Sequence, residues 1–360
     1  MGFFAGHYRK KEHLEYMEII KKMGLLAVLC FLALKGQSQT ADTLLQKQKI
    51  EDTTNLRRKA LAYSSRQFAI VRPFNIEFSQ MAPYSYIPRI EGATLPERRV
   101  SSYHQLKANA NLYLLAKKKW ILGSTITYRY IRSDNNFMAN TSHLVQNLGG
   151  DFNYHSVSLN LTYISRIFNK PFFINTSLIV DGSGKHLERL RGLAIGTMVL
   201  KADSHTKFMA GILVNVDPST ELPFLPMVTY ERKLNNGLMI DLILPKQLLV
   251  RKQVFARGRI SLGTELDRNG FYLHQINGQL PSQRYEYRQI ELDNGLVYEH
   301  LIGGYLILTA RTGAKWIAIS RLFEKEKTFS KPWLQTEAKP TAYFNLGISF
   351  NPFAKKMLAK

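Results

Sequence analysis

The chain has 360 residues, one cysteine and a formal net charge of +22. A balance this basic points to nucleic acid, to anionic lipid or lipopolysaccharide, or to an anionic solute. No nucleic-acid motif accompanies the charge, so no nucleic-acid partner is expected.

Residues 17 to 39 read MEIIKKMGLLAVLCFLALKGQSQ. Lys21 and Lys22 form a basic flank, Met23 to Leu34 an apolar run, and Gly36 and Ser38 a small-residue exit, which is the pattern of a cleaved export signal cut after Ser38. The run is shorter than the roughly 20 residues a membrane helix needs. Residues 1–16 stand ahead of a complete signal, so Met17 is the expected start and residues 1–38 are expected to be removed. Their loss takes six Lys/Arg and three Asp/Glu and leaves +19. Cys30 lies inside the apolar run, so the exported chain keeps no thiol for a disulfide, a metal or a nucleophile. Residues 39–65 are polar and weakly helical at LRRKALAY, and a periplasmic tail or small plug is expected there.

From residue 66 the texture becomes strand-like. In QLKANANLYLL, Leu106, Ala108, Ala110, Leu112 and Leu114 share one face, and Gln105, Lys107, Asn109, Asn111 and Tyr113 the other. VFARGRISLGTEL alternates in the same way. Runs of about 11 to 13 residues exceed soluble strands, which average about 5 to 6, and match the roughly 9 to 11 that cross a membrane. Strands are expected near 66–80, 103–116, 120–131, 153–168, 172–181, 190–201, 207–216, 224–234, 238–249, 254–266, 270–277, 285–300, 304–316 and 341–350. Tight turns are expected at 116–119, 169–171, 203–205, 235–237, 267–269 and near Gly303, alternating with longer connections that include 182–189 and 245–253. Short periplasmic turns and longer outer loops are the mark of a transmembrane barrel. The expected fold is therefore all-β, a transmembrane antiparallel β-barrel of about 14 strands over residues 66–350, with 12 as the alternative count. Trp120, Phe172, Phe208, Phe224, Phe271, Tyr305, Tyr130, Trp316 and Phe350 fall at strand ends, as interfacial girdles do. Pro73, inside the first expected strand, implies a bulge or gap in the ladder.

No metal-ligand spacing, nucleophile elbow or phosphate loop is present, so no cofactor, metal or catalytic residue is expected. His155 or His300 could serve a membrane-embedded hydrolase only with a serine or aspartate beside it. Alternation puts Asn75, Glu77, Lys107, Asn109, Arg129, Glu231, Asp241, Arg257, Arg259, Glu265, Glu291, Asp293, Glu299 and Arg311 on the lumen side. Arg or Lys facing lipid near mid-membrane costs about 2–4 kcal/mol, which keeps such residues inward. A second group, Arg98, Arg99, Arg189, Arg191, Arg251 and Lys252, is expected to form a basic outer-loop patch that meets lipopolysaccharide phosphates.

In the stretch FNLGISF, Phe344, Leu346, Ile348 and Phe350 alternate with small or polar residues. It resembles the terminal strand of outer-membrane barrels, and that resemblance implies recognition by the barrel-assembly machinery. Here a basic tail, residues 351–360, follows Phe350. With FNIEFSQMAP at 74–83 and LDNGLVYEHLIGGYLILTARTG at 292–313, the chain resembles a family of uncharacterised outer-membrane β-barrel proteins of Gram-negative bacteria. The resemblance implies fold and location and carries no catalytic residue. The expected role is a non-enzymatic pore or passage for a small polar solute. The alternatives are a closed structural or surface-binding barrel and a membrane-embedded hydrolase. The lipid bilayer is an expected partner in every case.

Overall fold

A computed structural model describes residues 53–117, 119–136, 150–184, 186–220, 222–274 and 284–352. The expected export signal with Cys30, residues 39–52 and most of the 351–360 tail lie outside them. Among the described residues no helix is long and apolar enough to cross a membrane.

Helix α1 (Thr53–Gln67) and a 3-10 turn (Ala69–Val71) precede the sheet. The strands are β1 (Phe74–Met81), β2 (Tyr84–Ile90), β3 (Ala93–Thr94), β4 (Arg98–Ala116), β5 (Trp120–Asn136) and β6 (Gly150–Ile167). Then come β7 (Lys170–Ser183), β8 (His186–Ala202), β9 (Thr206–Val216), β10 (Phe224–Lys233), β11 (Leu238–Leu244) and β12 (Gln247–Val254). The last are β13 (Gly258–His274), β14 (Arg284–Ile302), β15 (Leu306–Glu324), β16 (Leu334–Ala338) and β17 (Thr341–Phe350).

All pairings are antiparallel, and β1 closes the ring on β17 from Phe74↔Phe350 to Met81↔Tyr343. β2 continues that seam on β16, from Tyr86↔Ala338 to Ile90↔Leu334. β1 and β2 are one wall strand interrupted at Ala82-Pro83, and β16 and β17 are another interrupted at Lys339-Pro340. Proline has no N–H to give a ladder, and the two breaks face each other. Ala82 N donates to Ala342 O and Lys339 N to Ser85 O, each at 2.9 Å, so the seam is held on both sides of the gap. With β3 a two-residue addition, the wall has 14 strands. A closed sheet leaves no edge for other chains. The barrel has a terminal rim, where Phe74 and Phe350 stand side by side, and a far rim.

The count matches the expectation through two compensating shifts. Residues 238–249, expected as one strand, hold the β11–β12 hairpin with its turn at Pro245-Lys246. Residues 267–269, expected as a turn, run straight through β13. Asp267 and Asn269 look like turn residues, yet their side chains belong to the lumen and find partners there. The segment 182–189, expected as a long loop, is strand up to Ser183 and again from His186. Pro73 lies before the ladder, which begins at Phe74.

The wall is uneven. β4, β14 and β15 each have 19 residues, whereas β11 has 7 and β12 has 8. Beyond the short strands, β13 meets β7 and β8 through side chains rather than through a ladder. A row of glycines lies at one level of the neighbouring wall, with Gly263 opposite Gly295 and Gly295 opposite Gly313. A Cβ on any of the three would lie 2.0–2.1 Å from a carbonyl of the next strand. The strands therefore approach closely and the wall curls sharply there, as at the corner of a flattened barrel.

The outer surface is apolar around the ring. Leu112, Leu159, Leu178, Ile212, Leu248, Leu262 and Leu346 stand exposed, Leu262 at 61% and Leu346 at 56%. An exposed apolar patch is usually small on a water-soluble monomer, so a continuous apolar exterior fits lipid. Trp120, Tyr305 and Phe350 lie exposed near the terminal rim. Of the expected girdle residues, Phe271 is buried inside the barrel, stacked between Phe152 and Tyr287, and Tyr130 and Trp316 lie within β5 and β15 rather than at their ends.

Candidate functional site

The site is the barrel interior, which is filled in three tiers. At the terminal rim residues 66–72 cross the lumen. Arg66 pairs with Glu231 on β10 at 2.6 Å, and Gln67 Nε2 donates to the same carboxylate at 2.8 Å. Arg72, 1% exposed, reaches Glu299 on β14 at 2.5 Å and donates to Ser349 Oγ on β17 at 2.7 Å. From β4, Asn111 Nδ2 donates to the carbonyls of Ile70 and Arg72, each at 2.7 Å. Arg259 also pairs with Glu299 and donates to Arg66 O at 3.0 Å. One short segment is thus tied to β4, β10, β13, β14 and β17. Asp241 sits in the nearby wall, fully buried, with Arg251 at 2.6 Å and Gln247 at 2.8 Å.

The middle tier is ionic. Lys107 on β4 pairs with Asp267 on β13, and Gln105 donates to Asn269 at 2.9 Å, both across the lumen. Asn269 passes the chain on to Glu291 at 2.5 Å, which also accepts from Gln289 at 2.8 Å. Lys315 pairs with Glu291 and lies 2.8 Å from Asp293; Arg311 lies 2.6 Å from Glu265. Between this tier and residues 67–70 is a cavity of about 110 Å³, bordered by Asn75, Glu77, Asn109 and Asn345 as well as the charges. The carboxylates of Asp267, Glu291 and Asp293 come within 4.8 Å of one another, as metal ligands would. Lys107 and Lys315 already answer them, so a divalent ion would have to displace an ammonium group.

The far tier is apolar on one side and charged on the other. Phe152 stacks on Phe271 at 4.1 Å and Phe271 on Tyr287 at 4.7 Å, within a cluster that includes Met81, Tyr86, Val100, Tyr103, Ile131 and Tyr343. The opposite face of β13 and β14 carries a buried clasp. Arg191 lies 3.1 Å from Asp181 and 3.0 Å from Glu286; Arg189 lies 3.1 Å from Asp217; Arg288 pairs with Glu286. Tyr272 Oη donates to Asp181 at 2.8 Å, and Ser183 Oγ accepts from Tyr272 N at 2.9 Å. His274 Nε2 is 2.7 Å from Glu188. Burial opposes the charge on Asp217, but Arg191, Ser219 and Arg288 outweigh it and hold its carboxyl well below the usual carboxylate range.

Of the lumen positions read from alternation, Asn75, Glu77, Lys107, Asn109, Glu265, Asp293 and Arg311 border the cavity. Glu291 joins the ionic tier, and Glu231, Arg259 and Glu299 hold the crossing segment. Arg129 lies over the ring of Tyr154 at 5.5 Å, inside the wall. Arg257 does not reach the lumen: it sits in the exposed turn between β12 and β13. Arg72, Asp267, Lys315 and Asn345 are lumen residues outside that expected set, and Arg251 is expected only as an outer-loop cation. Continuing the alternation from Arg311 would have reached Lys315, and from Glu265 Asp267.

The expected basic outer patch is not a surface. Arg189 and Arg191 turn into the far clasp, and Arg251 is 3% exposed beside Asp241. Lys252 is exposed on the outer face of β12 near the terminal rim, and Arg98 and Arg99 open β4 at the far rim. An earlier start of β8 takes Arg189 out of an expected loop, and β12 takes Arg251 out of another, while Arg191 turns inward from the strand already expected there. Phe344, Leu346, Ile348 and Phe350 all stand exposed on the outer face of β17. The hydroxyl of Tyr298 is the neighbour of His300 Nδ1, at 3.0 Å, where a hydrolytic pair would need a serine or aspartate.

The fold and interior define a closed antiparallel barrel with an apolar exterior and a filled polar lumen. No family model and no curated protein matches the chain. Among solved structures it is similar to an outer membrane channel from Pseudomonas putida F1, at 12% identity and a TM-score of 0.32, over 78% of this chain and 96% of that one. It is also similar to a Pseudomonas aeruginosa FadL homologue, at 7% identity and a TM-score of 0.34, over 78% and 89%. The transport unit of the Escherichia coli autotransporter AIDA-I matches at 10% identity and a TM-score of 0.31, over 86% and 93%. At TM-scores this low the likeness carries no weight for function.

Proposed function

We propose that the protein is an outer-membrane barrel closed at rest, in which residues 53–72 gate a polar chamber for a small solute. The apolar exterior and the export signal support the location, with the terminal rim on the periplasmic side. The observation that carries the gate is the crossing segment. It shares no ladder with the wall and is held by side-chain bonds to five strands, centred on Glu231 and Glu299. A segment held that way can leave without unzipping a strand.

The chamber stands above it, and the cross-lumen bonds of Lys107 and Gln105 argue against a standing aqueous pore. The aromatic tier on the far side favours a second reading, a barrel closed permanently. Conductance in planar bilayers separates the two. The full chain is expected to be silent, and the Arg66→Ala/Arg72→Ala variant to conduct in discrete steps. Silence in both forms means permanent closure; steady conductance of the full chain means a standing pore and defeats both readings. On the outer face of β17, Phe350→Ala is expected to lower the yield of barrel assembled in cells, read as heat-modifiable gel migration, and an unchanged yield removes Phe350 from any assembly signal.

A further inference from the structure

The chamber's fixed charges are already answered, but two of its amide oxygens are not. Asn345 is 6% exposed and donates Nδ2 to Ser79 Oγ at 2.7 Å and to Glu77 Oε2 at 3.3 Å. Its Oδ1 has no partner among the described residues. Turning the amide over would set that oxygen against the Glu77 carboxylate, so the orientation is fixed by its neighbours. Gln67 repeats the arrangement: it is 7% exposed, gives Nε2 to Glu231, and its Oε1 is unmet among the described residues. Both residues border the same cavity of about 110 Å³.

Buried acceptors are normally satisfied, so this cavity calls for a ligand that donates hydrogen bonds. The lining holds four cations, Lys107, Lys246, Arg311 and Lys315, against four carboxylates, and a charged solute would bring a charge with no counterpart. The volume equals the share of three or four waters in the liquid, about 30 Å³ each. That suits a molecule of the size of a triol or tetritol. Its hydroxyls can donate to Asn345 Oδ1 and Gln67 Oε1 and accept from the lysine and arginine heads.

We infer that the chamber binds a small uncharged polyol. The inference rests on the gated chamber described above, and it is tested by binding rather than by conductance. Folded full-length barrel and the Arg66→Ala/Arg72→Ala variant would each be titrated calorimetrically with erythritol, glycine, acetate and methylammonium. Erythritol is expected to be preferred by the full-length barrel, and to bind more weakly to the gate variant, in which Gln67 leaves the chamber with the segment. Asn345→Leu should weaken it about tenfold. Gln67→Leu, which lies outside the wall ladder and leaves barrel folding alone, should weaken it similarly. Heat-modifiable migration shows that each variant is folded. Preference for a charged probe, no binding of any probe in either form, or erythritol binding that ignores both substitutions overturns the proposal. Erythritol binding without conductance in the gate variant counts against the gate and leaves the ligand standing.

Discussion

Single carboxylates decide much of the interior. Glu299 receives Arg72 and Arg259, and all three are almost fully buried. Glu299→Gln leaves two guanidinium groups sharing a neutral acceptor, and breaking a buried pair costs about 3–5 kcal/mol. Urea unfolding in vesicles should show a loss of that order. Arg132→Gln, at a half-exposed contact 4.0 Å from Asp151, should cost no more than about 1 kcal/mol. Similar losses from the two changes would mean that Glu299 is not a keystone. Asp217 sets the acid limit of the far clasp. Its folded carboxyl is held below its unfolded value, so its stabilisation is complete above about pH 4 and is lost as pH falls through the folded value. Asp217→Asn should therefore lower stability at pH 7 and flatten its fall below pH 4, in parallel urea titrations. An unaltered pH profile would remove Asp217 from the clasp.

At the scale of elements, the glycine row explains how a 14-strand wall can be filled at all. Strands at this number ordinarily enclose a wide lumen, between the side-chain-filled barrels of about eight strands and the channels of 16 to 18. Gly263, Gly295 and Gly313 allow a sharp corner, and the cross-lumen bonds of β4 with β13 show the flattening that results. Gly295→Ala puts a methyl 2.1 Å from Thr312 O, so folded, heat-modifiable protein should largely disappear; Asn294→Ala, one residue away, should leave most of it. Normal folding of Gly295→Ala would show that the corner is not tight. This is also the scale at which the sequence misled. Period-two alternation identified β4 and much of the lumen face. It lost β12 because Pro245 resembles the start of a loop, and it cut β13 because Asp-Arg-Asn resembles a turn. Composition marks residues that suit turns, while the ladder here is decided by inward pairing to strands five places away in the ring, which no local pattern carries. For the same reason Arg189 and Arg191 read as loop cations, although their partners Asp217 and Glu286 are far off in sequence.

For the whole molecule, an apolar exterior and a paired interior combine into a barrel suited to lipid that, as proposed above, leaves no standing channel. The proposed closure has two parts. The far tier is built from wall strands, whereas the terminal tier is a segment that precedes them. The most direct test is access to the chamber. Cys30 would be replaced by serine and Ser79, which borders the chamber, by cysteine. A bulky membrane-impermeant maleimide would then be offered to the folded barrel with and without Arg66→Ala/Arg72→Ala. A closed, gated lumen requires protection in the first protein and rapid labelling in the second. Rapid labelling of both would contradict it.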